Sequence, residues 1–296
     1  MGVTVASETA FQPQRYLMCP PKHFAVNYSI NPWMHPEEPV NVTRAQRQWQ
    51  LVYESLSALG HHIDLIPSQP GLPDMVFTAN GGILIADKAL VPRFRHAERR
   101  EESRHFAQAF TALGVAHVRQ AEYINEGEGD FLLVGDYLLA GNGLRSEPRA
   151  GDEAADYFGV PTLALTLVDP RLYHLDTALA VLNEETIAYW PGAFDRAGQG
   201  LLRELYPDAI LANGADAGNL GLNIVSDGAT AIMTHDCPDL ASKIADRGLR
   251  VIELAIDELR KAGGGAKCCV LTHHASTPTS ATFLAAERNN EPLAGR

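Results

Sequence analysis

The 296-residue sequence has little cysteine, and its spacing gives the four thiols no shared structural task. Cys19, Cys237, Cys268 and Cys269 are too few and too scattered for a disulfide framework. No Cys-x-x-Cys pair and no His-Glu-x-x-His run occurs, so a metal site is not expected. His61-His62 and His273-His274 are adjacent pairs, and neighbours on a strand face opposite ways, so they carry no ligand role. No apolar run approaches the ~18 residues that would span a bilayer. Met1 to Phe11 lacks a basic start followed by an apolar stretch. Neither a membrane segment nor a signal peptide is therefore expected, and the cytoplasm is the expected compartment. Basic residues are the minority, 24 Lys and Arg against 36 Asp and Glu, and the net charge of −12 excludes a phosphate-tracking nucleic-acid binder. Apolar residues are not scarce: at 46% they can fill a sizeable core.

Length alone argues for two domains at ~150 residues each. An internal repeat argues for one. Segments that read as the end of an amphipathic helix run into Gly60, Gly114, Gly159 and Gly248. Each is followed by a short apolar strand, at Ile63 to Ile66, Val115 to Val118, Thr162 to Leu165 and Val251 to Leu254. A fifth copy ends on Pro207, before Ile210 and Leu211. Between these units lie apolar runs broken by turn residues, the signal of a β-hairpin. Their turns, at Asp87, Asp136, Asn183 and Asp227, are 49, 47 and 44 residues apart. A last strand, Cys268 to Thr272, would pair with Tyr16 to Cys19 and close the series into a ring. The expected fold is α/β with five units in one domain over 12–274, and the Ser/Thr/Ala/Asn-rich 275–296 is expected to be a surface tail.

Polar residues gather just before each hairpin. They are Asp74 and Asn80 in the first unit, and Glu126, Glu128 and Asp130 in the second. The third has His174 and Asp176, the fourth Asn213, Asp216, Asn219 and Asn223, and the last Gly263-Gly-Gly-Ala-Lys-Cys268-Cys269. Five units around an axis would bring carboxylates, amides, a histidine and a thiol to one cavity, a catalytic inventory gathered by topology.

These motifs resemble the guanidino-group-modifying enzymes of the pentein group: arginine deiminases, dimethylargininases, arginine dihydrolases and amidinotransferases. The resemblance runs from about Tyr16 to Thr272. His174-Leu-Asp176-Thr177 and the glycine approach to Cys268 carry it most specifically, and Glu126-Gly-Glu-Gly-Asp130 resembles the family's acidic loop with one residue added. It implies a five-bladed α/β propeller that needs no metal or cofactor. It also implies Cys268 as nucleophile, His174 as general acid then base, and Glu126 as an acidic partner. Asp74, Asp130 and Asp176 would contact the substrate, with Arg93 and Arg145 on its carboxylate. Cys269 and Glu128 stay open as alternatives to their neighbours, and Arg95, Arg99 and Arg100 are expected to face solvent.

Asn80 separates members of the group. Deiminases of this family typically carry Asp there, to grip a cation, whereas an amide pairs equally well with a neutral ureido group. The dihydrolase branch carries this Asn, and its N-terminal region resembles Met18-Cys-Pro-Pro-Lys-His-Phe24 and Tyr28-Ser-Ile-Asn-Pro-Trp33-Met34. The resemblance thus implies conversion of arginine to ornithine. Arginine deiminase, dimethylargininase, amidinotransferase and a non-catalytic pentein binding protein remain as alternatives. The expected partner is a small arginine-like substrate, with neither nucleic acid nor membrane, and homo-oligomer formation is left open.

Overall fold

Four helix ends behave as their glycines require. Gly60, Gly114, Gly159 and Gly248 take left-handed φ values of 86°, 82°, 70° and 88° in the computed structural model, which describes residues 13–276. The segment 1–12 and all but two residues of the expected tail lie outside the described residues. At Gly114 the helix closes further than the sequence pattern indicates. Val115 N–H donates to the Phe110 carbonyl, so the strand expected at 115–118 begins two residues later.

The described residues form five copies of one unit: a hairpin whose second strand runs parallel to a third, with a helix between those two. The first copy joins the chain ends. Strand β1 (Arg15–Met18) lies antiparallel to β15 (Leu271–His274) and parallel to β2 (His62–Leu65), with α1 (Val42–Ala58) between β1 and β2. The second holds β3 (Ile83–Ile85), β4 (Lys88–Val91), α2 (Glu102–Ala112) and β5 (His117–Gln120). The third holds β6 (Phe131–Val134), β7 (Tyr137–Asn142), α3 (Pro148–Phe158) and β8 (Thr162–Thr166). Strands β9 (Leu179–Val181), β10 (Ile187–Tyr189) and β11 (Ile210–Leu211) follow, with α5 (Arg196–Leu205). The fifth copy is β12 (Val225–Ser226), β13 (Thr230–Thr234), α7 (Pro238–Asp246) and β14 (Arg250–Leu254). A parallel β15–β3 pairing joins two copies into a six-stranded sheet, and the others are separate three-stranded sheets.

Each helix buries one stripe against its sheet. In α1 the buried positions are Ala45, Gln48, Trp49, Val52 and Leu56, the three-and-four spacing of a single helix face. Asn41 caps it by accepting from Arg44 N–H. Short turns and helices fill the approaches to the hairpins: Pro73–Val76 and Thr78–Gly81, Gly127–Gly129, α4 (Leu175–Ala178), α6 (Gly214–Gly218), and α8 (Asp257–Arg260) followed by Lys267–Cys269. The last of these corrects the expected strand at 268–272. Cys268 N–H is taken by a side chain, the Asn223 amide, and Cys269 N–H by the Ala266 carbonyl, so neither can join a ladder and the strand starts at Leu271. No helix among the described residues is long and apolar enough to cross a membrane.

Candidate active site

The repeat sets the site's contacts at a nearly constant sequence separation. Asn80 Nδ2 donates to the Glu126 carbonyl 46 residues on, and Glu126 meets His174 after 48. Asn223 Nδ2 donates to the Asp176 carbonyl across 47 residues and to Cys268 Sγ across 45. Asp74, Asn80, Glu126, Asp130, Arg145, His174, Asp176 and Cys268 are all buried. All but Arg145, which follows the β6–β7 hairpin, lie in or beside a hairpin approach, so one structural position repeated five times delivers most of the cluster.

Glu126 is its electrostatic hub. Oε2 accepts from Arg145 Nη1 at 2.7 Å and lies 2.7 Å from His174 Nε2, with Arg99 Nη1 at 4.0 Å. Burial opposes the charge on Glu126, but Arg145, His174 and Arg99 outweigh it and hold the carboxyl well below the usual range. Asp130 accepts from Ser146 Oγ at 2.6 Å and from Leu175 N–H. Burial nevertheless pushes its carboxyl up to about 6. Asp74 accepts from Tyr28 Oη at 2.9 Å, and burial raises it too, against the pull of Arg99.

Cys268 sits against Asp176. Its thiol donates to Asp176 Oδ2 at 3.4 Å. Burial first, then the Asp176 charge, push the thiol well up, while burial raises Asp176 to about 7. The glycine run before it is a matter of close approach. A Cβ on Gly264 would lie 2.2 Å from the Phe77 ring, and one on Gly265 2.7 Å from Asn223 Oδ1. Only a bare backbone brings the thiol this near to the other units. Cys269 is fully buried in the same apolar cluster as Cys268.

Three carboxylate oxygens here accept no hydrogen bond: Asp74 Oδ1, Glu126 Oε1 and Asp176 Oδ1. Among the described residues the other such buried side-chain atom is Trp49 Nε1. The segment after β1 covers this region. Arg145 Nη2 donates to the Ile30 carbonyl, and Asn31 Nδ2 donates to Tyr173 Oη and the Ala262 carbonyl. No group of three or more His, Cys, Asp or Glu among the described residues is placed to hold a metal ion.

Two arginines differ from expectation. Arg93 is exposed and donates to the Glu122 carbonyl, outside the cluster, because alternation after β4 turns Phe94 inward instead. Arg99, expected in solvent, is only 3% exposed and lies inside the cluster. It forms a two-point pair with Glu102, donates to Asn80 Oδ1 at 2.8 Å, and stacks on Phe94 at 4.6 Å. Its three-residue spacing from Glu102 at the start of α2 was the available signal. Asn223, grouped with the polar residues before the fourth hairpin but given no role there, is an amide aimed at Cys268.

Glu128 is not on the same face as Glu126. Its oxygens accept from Lys267 Nζ at 2.8 Å and Thr272 N–H at 2.8 Å and contact His274 Nε2 at 2.9 Å, tying the acidic loop to both sides of the thiol turn. Burial opposes its charge, yet Lys267 and His274 lower its pKa overall. A lowered folded pKa stabilises above the unfolded carboxylate range and is lost as pH falls through the folded value. Glu128→Ala is therefore expected to cost on the order of 3–5 kcal/mol at pH 7. In urea denaturation that deficit shrinks as pH falls towards and below the acid range. A pH-independent deficit would contradict the ionic account.

No protein-family model matches the chain. It is 48% identical over 261 residues to the N(G),N(G)-dimethylarginine dimethylaminohydrolase of Mycobacterium tuberculosis, covering 88% of this chain and 86% of that protein. It is 38% identical over 264 residues to the bifunctional arginine dihydrolase/ornithine cyclodeaminase AgrE of Nostoc sp.. That match takes in 87% of this chain but only 37% of the longer bifunctional protein. Among solved structures, the product-bound N-terminal domain of ArgZ, an arginine dihydrolase, superposes with a TM-score of 0.86 at 34% identity, over 90% of this chain and 100% of that one.

Proposed function

This chain belongs to the guanidino-group-modifying hydrolases that include those dimethylarginine dimethylaminohydrolases and arginine dihydrolases, and we propose that it converts arginine to ornithine, two ammonia and carbon dioxide. As a member it is a hydrolase acting on carbon–nitrogen bonds of linear amidines. The observation that carries the substrate class is the set of unbonded acceptors, Asp74 Oδ1, Glu126 Oε1 and Asp176 Oδ1, in one buried cluster. A flat cation with several N–H donors satisfies all three, and a guanidinium is such a cation.

In this reading the five units are blades of a propeller around a pseudo-five-fold axis, in a single catalytic domain over 12–274. Cys268 attacks the guanidino carbon as thiolate, and His174 protonates the departing ammonia. The covalent thiouronium is then opened by water, His174 accepting its proton, to give a ureido product and the free thiol. Arg145 keeps Glu126 ionised, and its remaining N–H groups are available to the substrate carboxylate. Asp130 orients the His174–Leu175 turn through Leu175 N–H. A second round on the ureido carbon releases ammonia again, and hydrolysis of the resulting thiocarbamate leaves a carbamate that loses carbon dioxide. Asn80 supports the second round, because its amide does not demand a cationic substrate. A reduced thiol nucleophile also fits the cytoplasm.

The 48% identity to a dimethylarginine dimethylaminohydrolase favours a second reading, release of dimethylamine from dimethylarginine with citrulline as end product. One assay separates the two. Purified protein is incubated with arginine, citrulline and dimethylarginine, and ammonia, dimethylamine, citrulline and ornithine are measured by mass spectrometry. Ornithine from both arginine and citrulline is expected. Citrulline as the end product would refute the dihydrolase reading. Asn80→Asp is expected to accumulate citrulline from arginine or to lose activity.

A further inference from the structure

We propose that Asn223 is a positioning residue for the nucleophile, its amide holding the Cys268 backbone with one end and the Cys268 sulfur with the other. The inference rests on the hydrolase reading above and names a residue that reading does not use.

The geometry fixes which way the amide points. Cys268 N–H needs an acceptor and meets Asn223 Oδ1 at 3.0 Å. The Asp176 carbonyl needs a donor and meets Nδ2 at 3.1 Å. Nδ2 therefore presents its second hydrogen to Cys268 Sγ, also at 3.1 Å. Asn223 is 1% exposed, and among the described residues its side-chain N–H donors have no other partner. Gly265 leaves just enough room for it, since a Cβ there would collide with Oδ1.

The chemistry gives the contact a direction. A sulfur buried among like charges resists ionisation. The groups facing it are the Asp176 carboxyl, the Cys269 thiol next in the chain and the Tyr173 hydroxyl. Lys267 and Glu128 act on it through Asp176. Of the groups hydrogen-bonded to Sγ, Asp176 accepts, whereas Asn223 donates from its side chain and Gly265 from its backbone. A donor strengthens its bond as the thiol becomes thiolate, so Asn223 favours the reactive form while its other end holds the turn that aims it.

The test reads the thiol directly and needs no turnover. Alkylation by iodoacetamide is followed against pH, with peptide mass mapping to separate Cys268 from Cys269 and Cys268→Ala as the site control. Asn223→Asp keeps the acceptor for Cys268 N–H but removes the donor to the sulfur, and Asn223→Ala removes both. Both are expected to move the midpoint for Cys268 upward by about one to two pH units. On arginine, kcat is expected to fall on the order of tenfold with KM within about twofold. A Cys268 profile unchanged in both folded variants would overturn the proposal. Should neither variant fold, Asn223→Ser leaves a single short hydroxyl in place of the two ends of the amide. The same upward shift is expected there, and an unshifted profile again overturns the proposal. If the unmodified enzyme turns over no guanidino substrate, the hydrolase reading fails while the alkylation profile still decides the role of Asn223.

Discussion

Cys268→Ala is expected to abolish ammonia release from arginine, by on the order of 10^4-fold or more, because no other group at the site replaces a covalent nucleophile. The neighbouring Cys269→Ala is expected to retain activity within a few-fold. The two thiols share a turn and one apolar cluster with Phe24, Phe77 and Val270, but only the Cys268 sulfur is hydrogen-bonded there, to Asp176 and Asn223. Burial raises both thiols, so pKa alone does not choose between them. Hydrogen-bonding partners do, since a buried thiol without polar neighbours is a small hydrophobe. A rapid-quench experiment with arginine, read by intact-protein mass, should show a covalent adduct in the unmodified enzyme and in Cys269→Ala but none in Cys268→Ala. Loss of the adduct in Cys269→Ala with its retention in Cys268→Ala would move the nucleophile by one residue.

Most of this site is legible in the sequence because the fold repeats. Hairpin turns recurring at 44 to 49 residues foretell contacts at 45 to 48, from Asn80 to Glu126 to His174 and from Asp176 through Asn223 to Cys268. What escapes is whatever departs from the repeat. Arg99 lies after its hairpin, in a stretch with three other arginines, and its one local mark is Glu102 three residues on. Its burial depends on Glu102 and on carboxylates contributed by other segments. Glu128 looks equivalent to Glu126, two residues away, yet the turn at Gly127–Gly129 sends the two carboxylates to different partners, Lys267 for one and Arg145 with His174 for the other. The strand expected through Cys268 fails for a similar reason. Apolar alternation is a local signal, and the Asn223 side chain that claims the Cys268 N–H is 45 residues away.

Arg99→Ala is expected to be the most destabilising single substitution in the acidic half of the site. Arg99 faces three buried carboxylates: Glu102 at 2.9 Å, Asp74 at 3.9 Å and Glu126 at 4.0 Å. Burial disfavours its own charge, but those carboxylates outweigh it and raise its pKa further. Removing it strands negative charge where water cannot reach, a change that costs about 3–5 kcal/mol when one partner of a buried pair is lost. That is comparable to the ~5–15 kcal/mol that holds a typical domain together. Arg99→Lys should recover only part of the loss. A single ammonium cannot reproduce the fork that serves both oxygens of Glu102, Asn80 Oδ1 and the Asp74 carbonyl at once. Glu102→Gln combined with Arg99→Ala should cost less than the sum of the two, since the pair is then removed together. Acid should narrow the deficit. Burial already raises Asp74, and loss of Arg99 raises it further, together with Glu102. A raised carboxyl pKa destabilises as pH rises above the unfolded value, so Arg99→Ala should lie closer to the unmodified protein at pH 5 than at pH 8 in urea denaturation. A cost below about 1 kcal/mol at pH 8, the size expected of an exposed ion pair, would return Arg99 to the solvent-facing role its sequence first implied.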